Sequence, residues 1–78
     1  MNDVKAYIAD VRGRIGRQFS LMMIKRDEAE QDIKTLTEQF GGDKEFIDQL
    51  SQVRDKYRQA MDALSIADQR LGVLSDHL

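Results

Sequence analysis

Apolar residues recur along both halves of the chain with alternating steps of three and four. In the first half only two arginines interrupt this pattern, which comprises Ile8, Arg12, Ile15, Phe19, Met22, Arg26, Ala29, Ile33, Leu36 and Phe40. The second half follows the same rule at Phe46, Leu50, Val53, Tyr57, Ala60, Leu64, Ala67, Leu71, Leu74 and Leu78. Heptad spacing of this kind is typical of a helix that buries one narrow stripe against another helix. The sequence therefore predicts two long helices and an all-α fold.

The residues between the two patterns predict a tight turn. Gly41 and Gly42 can adopt the left-handed backbone angles that end a helix. The carboxylate of Asp43 can then accept hydrogen bonds from the first free N–H groups of a second helix, predicted to span about 43–78 and to fray at its end. A connection this short implies an antiparallel, coiled-coil-like two-helix hairpin.

The first helix is predicted to begin near Asn2 or Asp3, either of which can cap it, and to span about 3–40. Residues 1–78 then form a single helical hairpin domain. A chain of this length buries only a small core, so the hairpin is expected to be completed by oligomerisation or by a partner helix.

Folding the chain at the glycines pairs residues whose numbers sum to 86. This register also predicts cross-helix ion pairs from Glu30 to Arg54 and from Asp32 to Lys56, on the two flanks of the contact. It places large side chains against small ones in three layers: Ala29 with Tyr57, Arg26 with Ala60, and Phe19 with Ala67.

Several apolar residues lie off the predicted stripes and cluster on one half of the hairpin. A cluster of this kind either is scattered surface hydrophobicity or forms a binding face for a third helix, from another protein or from a second copy. In this register Met23 and Met61 face each other across one flank. The candidate interface residues are Val4, Tyr7, Val11, Leu21, Met23, Ile24, Met61, Ile66 and Val73.

Composition narrows the class of protein. The 78 residues include no Cys, Pro or Trp, and a third are charged, which excludes disulfides and is typical of long helices. The longest apolar run, 21–24, is too short to span a bilayer, so no membrane association and a cytoplasmic location are expected. Charge is asymmetric: residues 1–26 carry net +4, residues 27–48 net −6, and residues 49–78 none. Such blocks can select the orientation of a partner.

Catalytic groups are scarce. The single histidine, His77, lies at the expected frayed end, and the four serines have no helical neighbour that could act as a base. The acidic run at 27–32 lies on a straight helix, which does not converge ligands on a cation. The sequence thus predicts no enzyme activity, no catalytic residue, no metal and no cofactor.

The segment RGRIGRQ, residues 12–18, raises a different possibility, because its Gly13–Gly16 spacing occurs in backbone-gripping loops. In that interpretation nucleic acid or phosphate would bind to the basic cluster of Arg12, Arg14, Arg17, Lys25 and Arg26. No aromatic residue is interleaved for base stacking and the chain is acidic overall, so nucleic acid is the weaker alternative.

The helical register gives the same segment another interpretation. Arg12 occupies a core position across from Leu74, and the acids of the second helix, Asp68 and Asp76, lie close enough to supply an internal partner. Arg14 and Arg17 then point outward as the charged rim of a protein contact. The two glycines weaken the helix, so a bend at Gly13–Gly16 is a further possibility.

The stretches GGDKEFIDQL and AMDALSIADQRL resemble the small co-chaperones of type III secretion needle subunits in bacteria. The matching positions are Asp43, Phe46, Leu50, Ala60, Ala63 and Ala67; Gly41-Gly42 and the arginine cluster lie outside that pattern. The resemblance implies a helical hairpin that binds a larger helical-repeat chaperone and holds the needle subunit unpolymerised in the cytoplasm.

The sequence as a whole favours a non-enzymatic protein–protein interaction module, such as a small chaperone or adaptor. It would bind the amphipathic helix of a partner or self-associate into a bundle. The alternatives are nucleic-acid or phosphate binding through the cluster at Arg12–Arg17, and a phage or mobile-element inhibitor that occludes a host protein.

Overall fold

Two long α-helices and the turn between them make up residues 2–78, the part of the chain that the computed structural model describes. Helix α1 spans Asn2–Gln39 and helix α2 spans Lys44–Asp76. Asp3 lies in the first turn of α1, where the helix dipole favours negative charge. The capping role expected of the Asn2 side chain lies outside the described part. The antiparallel two-helix hairpin predicted from the heptad pattern is confirmed, with α1 ending one residue earlier than expected and α2 two residues earlier.

The turn depends on two consecutive glycines in the left-handed region. Gly41 has φ +79° and Gly42 has φ +70°, angles at which a residue with a side chain would be strained. The carbonyl oxygen of Leu36 accepts hydrogen bonds from the backbone N–H groups of both Phe40, at 3.2 Å, and Gly42, at 3.0 Å. One carbonyl at the end of α1 therefore holds the chain as it reverses direction.

The start of α2 is capped as the sequence predicts. The Asp43 side chain accepts a hydrogen bond from the backbone N–H of Phe46 at 3.0 Å, which satisfies one of the free donors of the first turn. Glu45 adds negative charge at the same end of the dipole. The C-terminal residues His77 and Leu78 close α2 with bonds to the carbonyls of the last turn.

The hairpin is a thin rod. Its extents are 59 by 14 by 11 Å, and its radius of gyration is 17.6 Å, against about 11.5 Å for a compact fold of the same length. The buried apolar residues of the described part of the chain are Ile8, Ala29 and Met61, which are 5–8% exposed. The rest of the contact between the helices is a stripe of half-buried side chains, so the core has one layer and two open sides.

The core stripe of α1 agrees with the heptad pattern. Ile8 and Ala29 are buried, Ile15 and Phe19 are half-buried between them, and Ile33 is half-buried beyond Ala29. Phe40, the last residue of the pattern, is exposed because α1 ends at Gln39 and the chain has already begun to turn.

The core stripe of α2 differs from the predicted one at every second position. The residues facing α1 are Ile47, Leu50, Arg54, Tyr57, Met61, Leu64, Asp68, Leu71 and Ser75. Leu50, Tyr57, Leu64 and Leu71 were predicted correctly, and Ala60 and Ala67 are half-buried. Phe46, Val53, Leu74 and Leu78 were wrongly assigned to the core and are exposed. The adjacent row contains the one α2 residue that is buried, Met61.

The rotation of α2 also changes its ion pairs. Glu30 accepts a hydrogen bond from the guanidinium of Arg58 at 2.6 Å, instead of pairing with Arg54. Arg54 binds its neighbour Asp55 at 3.2 Å. The expected contact of Asp32 with a lysine of α2 is absent from the ion pairs among residues 2–78.

Candidate interaction surface

More large apolar side chains face solvent than are buried in this hairpin. Among the described residues twelve are exposed, against three buried apolar residues of any size. Contiguous exposed apolar surface is typical of interaction sites. The exposed residues are Val4, Tyr7, Leu21, Met23, Ile24, Phe40, Phe46, Val53, Ile66, Val73, Leu74 and Leu78.

One long side of the rod is predominantly polar or small. The ion pair between Glu30 and Arg58 crosses the helices on this side. Residues seven positions apart lie in one row along a helix. Gly16 is therefore in the same row of α1 as Glu30, and Ser65 is in the same row of α2 as Arg58. These two residues line one shallow groove of about 240 Å³. We call this side the polar face.

The opposite side carries half of the twelve exposed large hydrophobic residues. Near the turn, Asp32 and Thr35 of α1 line an open groove together with Phe46 of α2. The rows of these three residues therefore lie on this side of the rod. Steps of seven from these residues lead along α2 to Val53, Ala60, Ala67 and Leu74. Along α1 they lead to the apolar residues Val4, Tyr7, Val11 and Leu21, which alternate with the polar residues Arg14, Gln18, Lys25 and Glu28. We call this side the apolar face and define it by its exposed large residues: Val4, Tyr7, Leu21, Phe46, Val53 and Leu74.

The turn end of the apolar face is open because two phenylalanines lie outside the core. Phe40 and Phe46 both line grooves of about 540 and 320 Å³, together with Leu36 of the core stripe. The predicted register, in which paired residue numbers sum to 86, places these rings against each other inside the hairpin. In the structure each ring presents apolar surface to solvent beside the turn.

The structure sorts the predicted interface residues into four locations. Val4, Tyr7 and Leu21 lie exposed on the apolar face, and Val11 is half-buried in the same row. The prediction for Met61 is wrong: its side chain is 8% exposed and belongs to the core stripe. It cannot form an exposed pair with Met23, because the phase of α2 turns it inward.

The remaining predicted interface residues are exposed but do not share the apolar face. Met23 lies in the row of Glu30, on the polar face, and Ile24 lies midway between two inward-facing residues of α1, so it points away from α2. Ile66 and Val73 each lie midway between two inward-facing residues of α2, so at 100° per residue they point away from α1. Phe46, Val53 and Leu74 belong to the apolar face but were predicted to lie in the core, although their spacing by multiples of seven shows that they share one side of α2.

The stretch around residues 12–18 is continuous helix, which excludes a phosphate-gripping loop there. Arg12 donates two hydrogen bonds to Asp68, from Nε at 2.9 Å and from Nη2 at 3.1 Å. These bonds lower the pKa of the Asp68 carboxyl and raise the pKa of Arg12, and the attraction of opposite charges adds to both effects. The predicted internal partner of Arg12 is therefore present, and Arg12 lies against Gly72 and not opposite Leu74.

The other basic residues of the cluster also have acidic neighbours. Arg14 contacts Asp10 at 3.4 Å and remains exposed, as expected of the charged rim. Lys25 contacts Glu28 at 3.6 Å and Arg26 contacts Asp27 at 2.9 Å, two pairs that reduce the positive charge available to an external anion. Arg17, the second predicted rim residue, is exposed and forms no ion pair within residues 2–78.

Within the described part of the chain, no cluster of three or more His, Cys, Asp or Glu residues is arranged to hold a metal ion. None of the helices there combines the length and apolar character needed to cross a bilayer. No protein family, curated protein or solved structure matches this chain.

Proposed function

We propose that the protein is a non-enzymatic interaction module that binds an α-helical partner on its apolar face. The observation that carries this proposal is the distribution of burial: the hairpin encloses little apolar surface, while large apolar side chains follow one long side from Val4 and Leu74 at the open end to Phe46 at the turn. A helical hairpin with this distribution corresponds to half of a four-helix bundle.

The partner would complete the bundle by adding one or two helices to the apolar face. Leu21 and Val53 would insert between its side chains, and the grooves beside Phe40 and Phe46 would accept apolar groups at the turn end. A role as a small chaperone or adaptor, including the type that the needle co-chaperone resemblance implies, is a specific form of this proposal, since masking an amphipathic helix uses the same contacts.

The proposal is tested by charging the apolar face. Leu21→Asp with Val53→Asp should abolish capture of a partner from a lysate of the source organism, measured by affinity purification and quantitative mass spectrometry. The matched control is Ile24→Asp with Ile66→Asp, since these residues are exposed to a similar extent, 52% and 48% against 42% and 43%, but lie on other sides of the rod.

The expected result is that the control variant captures the same protein as the wild type and the face variant captures none, while both keep their far-ultraviolet circular dichroism. Equal capture by both variants would show that binding occurs elsewhere on the hairpin. Loss of capture by the control variant alone would contradict the assignment of the face.

A further inference from the structure

The row of α1 that contains Leu21, on the apolar face, carries charges that are complementary to a second, reversed copy of the same row. Leu21 stands at its centre, and Arg14 and Glu28 lie seven residues to either side with opposite charge. A two-fold axis perpendicular to the rod at Leu21 would place this leucine against its own copy. The same axis would bring Arg14 of each copy to Glu28 of the other, so one interaction would form twice.

Both charged residues are available for such a contact. Arg14 touches Asp10 at 3.4 Å and Glu28 touches Lys25 at 3.6 Å, and all four side chains are more than two-fifths exposed. Pairs this open are weakly held within one helix. Reaching across to a second rod therefore costs each side chain little.

The charges at the two ends of α1 favour the same orientation. An axis at Leu21 sets residues 27–39 of one copy, with one basic and five acidic residues, against residues 3–15 of the other, with three basic and two acidic. Net −4 therefore meets net +1 at both ends, while residues 16–26 lie against their own copy. A two-fold axis along the rod would instead set α1 against α2, which has five basic and six acidic residues and offers little to attract either half.

The size of the rod suits an interface between two copies. The broad side measures 59 by 14 Å, a projected area of about 830 Å², close to the roughly 800 Å² that each partner buries in a stable complex. The accessible surface of the hairpin, 5928 Å², also exceeds by about 1,100 Å² the value expected for a compact monomer of its mass. One additional contact of this size would cover about three quarters of the excess.

We propose that the apolar face is covered by a second copy of this chain, packed antiparallel so that the two α1 helices cross at Leu21. The product is a four-helix homodimer with Arg14–Glu28 ion pairs on both sides of the two-fold axis. This inference rests on the proposed function, because it names the helical partner that the apolar face accepts.

Sedimentation equilibrium with paired charge reversals tests the orientation. The wild type should have twice the 9.0 kDa mass of one chain, and Arg14→Glu or Glu28→Arg alone should weaken the dimer about tenfold through like-charge contacts. An equimolar mixture of the two single variants should recover the wild-type affinity, because every contact between unlike chains is then between opposite charges. A mixture no tighter than its components would overturn the antiparallel arrangement.

A cysteine placed at the axis provides a second measurement that does not depend on charge. The chain has no cysteine, so Leu21→Cys introduces a single thiol, and mild oxidation should convert most of this variant to a covalent dimer. Ile24→Cys is the control, since it is exposed on the other side of α1 and should remain monomeric on a non-reducing gel. Equal cross-linking of the two variants would contradict the proposal.

The outcomes separate this inference from the proposed function. A monomeric wild type that still captures a foreign protein through the apolar face would overturn the homodimer and leave the interaction module standing. A monomer that captures nothing would overturn both. A dimer that cross-links at residue 21 would establish the homodimer whether or not a further protein binds.

Discussion

Gly16 offers a direct test of whether the arginine-rich segment is ordinary helix. A β-carbon added at Gly16 meets no atom within 4 Å, and one added at Gly13 meets only the Nη1 atom of Arg17, at an ordinary contact distance of 3.7 Å. Both residues lie well inside α1, where glycine restricts its backbone at a greater entropic cost than alanine does. Replacement of either glycine by alanine should therefore stabilise the protein.

The expected gain is about 1 kcal/mol for each substitution, which is the difference in helix propensity between glycine and alanine. For a domain of this size, 1 kcal/mol raises Tm by about 4–8 °C. Gly13→Ala with Gly16→Ala should raise Tm by more than either single change, up to about 16 °C. Neither residue lies on the apolar face, so association should be unaffected.

Gly42→Ala is the control, because it should change Tm in the opposite direction. Its φ is +70°, and a β-carbon there would lie 3.3 Å from the Cδ1 atom of Ile47, so the substitution should lower Tm. Thermal unfolding followed by circular dichroism at one fixed protein concentration measures all three variants. If Gly16→Ala lowered Tm while Gly42→Ala also did so, the segment would not be helical in solution and the loop interpretation would regain support.

Two further predictions concern the core stripe. Met61→Ala should cost about 2 kcal/mol of unfolding free energy in urea denaturation, because it empties a buried site, whereas Met23→Ala should cost about 0.5 kcal/mol or less; similar losses would contradict the observed phase of α2. The lowered pKa of the Asp68 carboxyl means that its contribution to stability is complete above the ordinary pKa of a carboxyl and is lost as pH falls through the lowered value. Arg12→Gln should reduce this acid-dependent loss in thermal melts between pH 5 and pH 2, and an unchanged slope would contradict the coupling.

The sequence was sufficient to predict the turn and α1 because their signals are local and unambiguous. Two glycines followed by an aspartate leave few alternatives for the backbone, and the apolar row of α1 has no competing row beside it. The partner of Arg12 could also be narrowed to two acids, because a charged residue in a core stripe needs a neighbour of opposite sign. Only the choice of Asp68 required the structure.

The rotation of α2 about its own axis, which decides the row that faces α1, could not be derived from the sequence. Two neighbouring rows of α2 are both compatible with a core. One row contains Phe46 and Val53 but also two alanines, and the other contains Ile47 and Met61 but also Arg54 and Asp68. Hydrophobicity favours the first row. The volume needed between two helices and the available partners of the charged residues favour the second, and those depend on α1.

This ambiguity itself bears on function. A helix in an isolated pair needs one apolar stripe, whereas a helix in a four-helix bundle touches neighbours on two sides and needs a wider one. In α2 the row of Met61 closes the hairpin, and the row of Val53 lies beside it on the apolar face. Ala60 and Ala67 in the middle of this second row are half-buried against the hairpin, whereas its large residues Phe46, Val53 and Leu74 remain exposed. The proposed second copy would cover this row of α2, and Arg14 and Glu28 of α1 would set the direction in which that copy lies.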